Sequence, residues 1–207
     1  MMRDEKLGDF LVRLADRVPA PGGGASAALH AAQAAALLGM VARYTTGGKY
    51  AEHQDRIEQI IVETDALRTQ ALQLAEDDAA AFTAVTDAYK LPKDSESDRS
   101  VRSAAIAAAL AGAARPPAGV IDLASAVIDS AEELLLIGNR NVITDVAAAT
   151  EAARAAATTA RVNIEVNLSG IKDASVRTGL TARAAEVDDL ATRAERVTAA
   201  VREEIVR

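Results

Sequence analysis

Residues 138 to 168, GNRNVITDVAAATEAARAAATTARVNIEVNL, constrain the fold more than any other stretch. Steps at helical spacing from Asp145 reach Ala149, Ala152, Ala156, Ala160, Asn163 and Asn167, all on one stripe. Alanines at these positions let another backbone come close, so the stripe is read as a buried face. An Asp at one end and two Asn at the other are costly there unless they meet partners or a ligand.

Half of the 207 residues are hydrophobic but only 2% are aromatic, which leaves Ala, Leu, Ile and Val to build the core. Such a core favours closely packed helices over sheets. The expected fold is all-α: a single domain over residues 1–207, an up-and-down bundle of six to seven helices with one very long helix. The net charge of −7 argues against a nucleic-acid surface, although a few local basic groups can still hold a small anion. The chain has no Cys, and its only imidazoles are His30 and His53, so neither thiolate chemistry nor a metal site is expected. The first ten residues lack the apolar core of a signal peptide, and no run is read as the roughly 20 apolar residues of a membrane span. The cytoplasm is the expected location, with no membrane partner.

Leu7, Phe10, Leu11 and Leu14 mark a short amphipathic helix. PGGGAS, residues 21 to 26, opens a second helix that runs to about Thr45 and is apolar almost all round. Gly22, Gly23 and Gly24 either leave bare N–H groups for an anion or form a flexible turn with Ser26 as the cap. TTGGKY then presents Lys49 and Tyr50, which matter for a site only if the glycine turn lies nearby. Residues 52 to 89 read as one helix about 57 Å long at roughly 1.5 Å per residue. Its stripe of Ile57, Ile60, Thr64, Leu67, Ala71, Leu74, Asp78, Ala81 and Val85 is apolar except for Thr64 and Asp78. The seam Asp78 is either a general acid or base with a raised pKa, or a hydrogen-bonded residue that fixes helix register. Phe82 and Tyr89, on one side and two turns apart, are either core or a stacking surface for a planar ligand.

Ser95 and Asp98 form a capping-box pattern before a helix of RSAAIAAALAGAA. Pro116-Pro117 begins the next helix, and Gly138 closes it. Asn141 or Thr144 can cap the helix that follows, and Asp145 lies in its first turn, where the helix dipole favours the ionised form. VNIEVNL alternates as a strand would, but no second strand-like segment exists to pair with it, so it is read as helix. One last helix carries Val176, Leu180, Val187, Leu190, Ala194, Val197, Val201 and Ile205, and its charged flanks suit packing on the bundle or on a partner chain.

PGGGASAA from Pro21, TTGGKY from Thr45, DAAAFTAVTDAYKLPK from Asp78, GNRNVITD from Gly138 and NIEVNL from Asn163 together resemble, in order and spacing, the motifs of the cyclodeaminase and methenyltetrahydrofolate cyclohydrolase family of one-carbon metabolism. The chain departs from that pattern in having Ala25 ahead of Ser26, Thr144 in place of Ser, Ile164 in place of Val and one Lys fewer in TTGGKY. The resemblance implies an all-helical homodimer with a folate cleft near the subunit interface. It further implies a tetrahydrofolate derivative as substrate, no tightly bound cofactor, and a separate formiminotransferase as a partner.

By the same resemblance Asp145 is the proton shuttle, and Thr144, Asn139 and Asn141 orient the folate. Asp78 would then be the second carboxylate of an acid and base pair. Lys49 with Tyr50, and the turn of Gly22, Gly23, Gly24 and Ser26, are the candidates for substrate carboxylates or developing charge. Asn163 and Asn167 would line the cleft, with Phe82 and Tyr89 against the pterin or aminobenzoate ring. The expected reaction closes the bridge between N5 and N10 with loss of ammonia; the alternatives are hydrolysis of the methenyl bridge and a non-catalytic bundle that binds folate or a partner.

Overall fold

The computed structural model describes residues 2–206. Among them, eight α-helices and three short 3-10 turns occur and no strand, so the all-α expectation holds, VNIEVNL included. The helices are α1 (Leu7–Ala15), α2 (Gly23–Tyr44), α3 (Gln54–Lys90), α4 (Glu96–Ala113), α5 (Arg115–Ile137), α6 (Ile143–Leu168), α7 (Ala174–Ala185) and α8 (Val187–Ile205).

Alanine sets the packing of α2 against α6. Ala25, Ala28, Ala31, Ala32 and Ala35 of α2 and Ala149, Ala153, Ala156, Ala157 and Ala160 of α6 are all buried. The two helices run antiparallel: Gly23 lies beside Asn163 at one end, and at the other the Asn139 amide donates to the Tyr44 carbonyl at 2.7 Å. Larger side chains fill what the alanines leave, notably Leu38, Ile57, Ile60, Ile121, Ile128 and Ile164. Full burial of each contributes about 1.5–3 kcal/mol.

The long helix α3 lies antiparallel on α2, with Thr64 against Gly39 and Asp78 against Gly24. At about 1.5 Å per residue, the 37 residues of α3 span about 55 Å and the 22 of α2 about 33 Å. The end of α3 therefore projects past the start of α2, where α4 folds back on it and Arg102 donates to the Tyr89 carbonyl. The N-terminal part of α3 is tied to α5 by Arg56 and Glu133, and α8 runs antiparallel along α6 with Arg161 paired to Asp188.

Several local expectations need correcting. The last helix is two: Glu186 ends α7 and opens α8. The buried stripe from Val187 to Val201 belongs to α8, which runs along α6, whereas α7 buries only Ala184 and is tied to the start of α5 through Arg183 and Asp122. Ser26 does not cap α2, because the cap position is Gly22; nor do Asn141 or Thr144 cap α6, whose cap position is Val142. Instead the Asn139 side chain accepts the Asn141 N–H at 3.1 Å. By length and composition α2 is apolar enough to cross a membrane, contrary to the sequence reading; here it is a core helix enclosed by α3, α5 and α6. The Ser95–Asp98 capping box forms as expected, and Gly138 closes α5 because a Cβ there would lie 2.3 Å from the Leu134 carbonyl oxygen.

Candidate active site

A cleft of about 320 Å³ opens where the N-terminus of α2 meets α3 and the C-terminal turns of α6. The turn into α2 contributes Gly22, Gly23 and Gly24, α3 contributes Asp78 and Phe82, and α6 contributes Asn163 and Asn167. Val85 and Val166 add apolar wall.

Asp78 is half-buried and its carboxylate presses on the first turn of α2. A Cβ at Gly24 would lie 2.0 Å from Asp78 Oδ1 and 2.4 Å from Cγ, so only glycine lets the two elements meet. Gly22 and Gly23 face open space, with only the Asn163 amide within 4 Å of a Cβ at Gly23, so their bareness leaves room in the cleft. Burial pushes the Asp78 carboxyl above its ordinary value, and the backbone N–H of Ala25 acts weakly in the opposite sense. Ionised, this carboxylate would sit half-desolvated with no cation beside it; protonated, it can donate.

Asn163 and Asn167 sit one turn apart on the wall opposite the glycines, each anchored through its amide nitrogen to a carbonyl one turn back. Phe82 is 45% exposed and offers its ring to the cleft one turn beyond Asp78. Tyr89 does not reach it: the ring stacks against Arg102, 5.5 Å from the guanidinium. Ser26 lies in the first turn of α2 but does not line the cleft.

The remaining candidates gather at the other end of the same rods. Asp145 is in the first turn of α6, about 27 Å from Asn163 at roughly 1.5 Å per residue. Lys49 and Tyr50 follow the C-terminus of α2, with Lys49 Nζ 4.6 Å from the Tyr50 ring centre. Tyr50 is buried and its hydroxyl has no hydrogen-bond partner among the described residues. Asn139 is occupied on both sides of its amide, donating to Tyr44 and accepting from Asn141, while Asn141 and Thr144 are exposed. An acid and base pair of Asp78 with Asp145 around one cleft is therefore not assembled within a single chain, because straight helices hold the two carboxylates apart.

Pro19, Ala20 and Ala113 also line the cleft and carry no signal in the sequence beyond their neighbours. A larger but more open groove of about 480 Å³ lies on α3, α4 and α5; only Asp77 and Arg115 bring charge to it, and it lacks the convergent carboxylate and amides of the smaller cleft. Among the described residues, no group of three or more His, Asp or Glu side chains is arranged to hold a metal ion.

Residues 6–186 match the family model described as formiminotransferase-cyclodeaminase. A methenyltetrahydrofolate cyclohydrolase from Methylorubrum extorquens is 37% identical over 84% of each chain. The formimidoyltransferase-cyclodeaminase of Mus musculus is 32% identical over 82% of this chain, which spans only 32% of that longer relative. The crystal structure of a formiminotetrahydrofolate cyclodeaminase from Thermotoga maritima covers the whole of both chains with a TM-score of 0.88 at 30% identity. With the model matched from the first helix to the end of α7, the chain belongs to the formiminotransferase-cyclodeaminase family.

Proposed function

We propose that the chain catalyses cyclodeamination of 5-formimidoyltetrahydrofolate to 5,10-methenyltetrahydrofolate and ammonia, with Asp78 as the proton carrier. The observation that carries this reading is a half-buried carboxyl with a raised pKa, held against the glycine turn inside a cleft that also presents two Asn amides. In the reaction N10 attacks the formimidoyl carbon and loses a proton, and the C–N bond to the leaving nitrogen breaks as that nitrogen gains one. One carboxyl can do both: as carboxylate it takes the N10 proton, and as acid it delivers that proton to departing ammonia. A pKa lifted towards the working pH suits both halves. The Thermotoga maritima cyclodeaminase, matched over its full length, supports this choice.

Hydrolysis of the methenyl bridge to 10-formyltetrahydrofolate is the second reading, favoured by the 37% identity to the Methylorubrum extorquens cyclohydrolase. Asp78 would there take a proton from the attacking water. We further read the working unit as a homodimer. A second copy is what would bring Thr144, Asp145 and Lys49 to the cleft, and a separate formiminotransferase would supply the formimidoyl substrate.

The test is a spectrophotometric assay with each folate. Appearance of the methenyl chromophore with ammonia release from the formimidoyl substrate supports the first reading. Enzyme-dependent loss of that chromophore without activity on the formimidoyl substrate supports the second. Rates at the blank for both, in folded protein, overturn both.

A further inference from the structure

α3, α2, α6 and α8 stand side by side in that order, and α5 lies behind them in contact with all four. With neighbours on both flanks and α5 at the back, the exposed stripes of α2 and α6 face the same open side. That side is uncharged. α2 has no Asp, Glu, Lys or Arg from Gly23 to Ala42, and Ser26, His30, Gln33, Leu37 and Met40, spaced by alternate steps of four and three, are exposed or half-buried along it. The same spacing on α6 picks out Ala148, Ala152, Ala155, Thr159, Val162 and Val166, again with none buried. Val162 and Val166 are 61% and 72% exposed, and Tyr44 at the end of α2 is 59% exposed. Glu151 and Arg161, charges of α6 beside this face, turn instead to Thr198 and Asp188 of α8. In a chain of which 26% of residues are charged, an open uncharged face running the length of two helices marks a surface that another body covers.

We propose that the open face of α2 and α6 is the docking surface for a second copy of the chain, related by a twofold axis that crosses the helices at the height of Ala155. The second copy is the homodimer partner read above; the face supplies its surface and register, and only the chemistry of the shared cleft rests on the folate reading. Two observations commit the face to a second copy. Its size suits one: two helices side by side, about 33 Å long and about 11 Å across each, offer about 700 Å², close to the roughly 800 Å² per partner of a stable interface. Its register suits one too. Ala155 stands midway between Asp145 and Val166, and His30 and Gln33 stand at about the same height on α2, since Gly23 lies beside Asn163. An axis there lays α6 antiparallel on the partner's α6, with small Ala side chains at the centre to admit close approach. It brings the partner's Asp145 to the height of Val166, which is on the rim of the cleft. The half of the motifs that a single chain holds at the far end is thereby returned to the cleft.

The chain has no Cys, so engineered ones report the contact without background. Wild type at micromolar concentration is expected to sediment at twice the chain mass. Ala155→Cys is expected to give a disulfide-linked dimer under mild oxidation, because a residue at the axis meets its own copy. Ala148→Cys alone is not, since its two copies lie about 20 Å apart at roughly 1.5 Å per residue, whereas Ala148→Cys mixed with Val162→Cys is expected to link. Gln33→Glu/Ala155→Glu sets like charges across the axis, and neither side chain is buried within the single chain. This variant is expected to raise the dissociation constant at least about 100-fold with helical circular dichroism unchanged. Val62→Glu, on an exposed part of α3 away from this face, is expected to leave the dimer intact. A monomeric wild type, a dimer that Gln33→Glu/Ala155→Glu leaves unchanged, or a dimeric Ala155→Cys chain that does not link overturns the proposal. A monomeric wild type that sediments with phosphatidylcholine vesicles also overturns it and gives the face to a membrane. None of these measurements uses folate, so a dimer on this face in a protein that turns over neither folate overturns the folate reading and upholds the docking surface.

Discussion

Asp78 is where sequence and structure meet most directly at the scale of single residues. Its place as the one charged residue in a seam that is apolar but for Thr64 marks it in the sequence, since a carboxylate there has to be either paired or perturbed. The requirement for Gly24 was not legible in the same way: three glycines in a row look alike in sequence, and only the clash that a Cβ on Gly24 would make, 2.0 Å from Asp78 Oδ1, singles one out. Gly24→Ala is expected to push the carboxylate aside and lower kcat by about 10²–10⁴, the usual contribution of a positioned acid or base, with the helical circular dichroism retained. Unchanged kcat would remove Asp78 from the mechanism. The same burial carries a stability cost. Because the folded-state pKa lies above the ordinary value of 3.8, the native state binds the proton more tightly than the unfolded chain. Wild type therefore loses stability as pH rises from about 3.8 through the folded value, and the full cost is present above it. Asp78→Asn, which cannot ionise, should melt a few degrees higher than wild type at pH 7, on the order of what a modest stability gain produces in a domain of this size. The gap should narrow as pH approaches 3.8; a gap that is constant with pH would mean that ionisation of Asp78 costs nothing.

At the scale of elements, helix identity was legible because alanine-rich stretches and apolar stripes recur at helical spacing, and Gly and Pro punctuate them. The division at Glu186 was not, because the apolar spacing continues across it and no Pro or Gly marks the break. What separates α7 from α8 is tertiary: one lies at the end of α6, the other along its length. Tertiary structure also gives Asn139 a part in the fold that the sequence did not display. Its amide nitrogen and backbone N–H bind Tyr44 and Thr45, so it latches the end of α2 to the turn between α5 and α6. Removing one partner from bonds of this kind costs about 1–3 kcal/mol. Asn139→Ala is accordingly expected to lower the unfolding free energy measured in urea by an amount of that order while kcat per folded molecule stays near wild type. A large loss of kcat without loss of stability would return Asn139 to the substrate.

For the whole molecule, the split of the motifs between two ends follows from the topology. Each of α2, α3, α5 and α6 carries the chain from one end of the bundle to the other, whereas α4 folds back on the projecting end of α3 and ends at the same cleft, so motifs placed between these four long helices alternate ends. The glycine turn lies at one end, Lys49 and Tyr50 at the other, Asp78 back at the first, Asn139 to Asp145 at the second, and Asn163 with Asn167 at the first again. Helix lengths alone do not show this alternation, because α4, at 18 residues, is long enough to cross and yet stays at one end; nor does a single sequence display its own symmetry axis, through which a second copy would let the motifs meet. In a twofold dimer that sets one protomer's Asp145 end against its partner's cleft, each working cleft takes Asp78 from one chain and Asp145 from the other. Asp78→Asn and Asp145→Asn homodimers would then both be inactive for different reasons. Mixing them in equal amounts after dissociation makes half of the dimers heterodimeric, and each heterodimer holds one cleft with both carboxylates intact. Recovered activity should approach about a quarter of wild type, the share of clefts restored by random pairing in a twofold dimer. Full activity of Asp145→Asn alone would exclude that residue from the reaction. Two inactive variants that form mixed dimers without regaining turnover would instead show that the clefts are not shared, leaving Asp78 to work within its own chain.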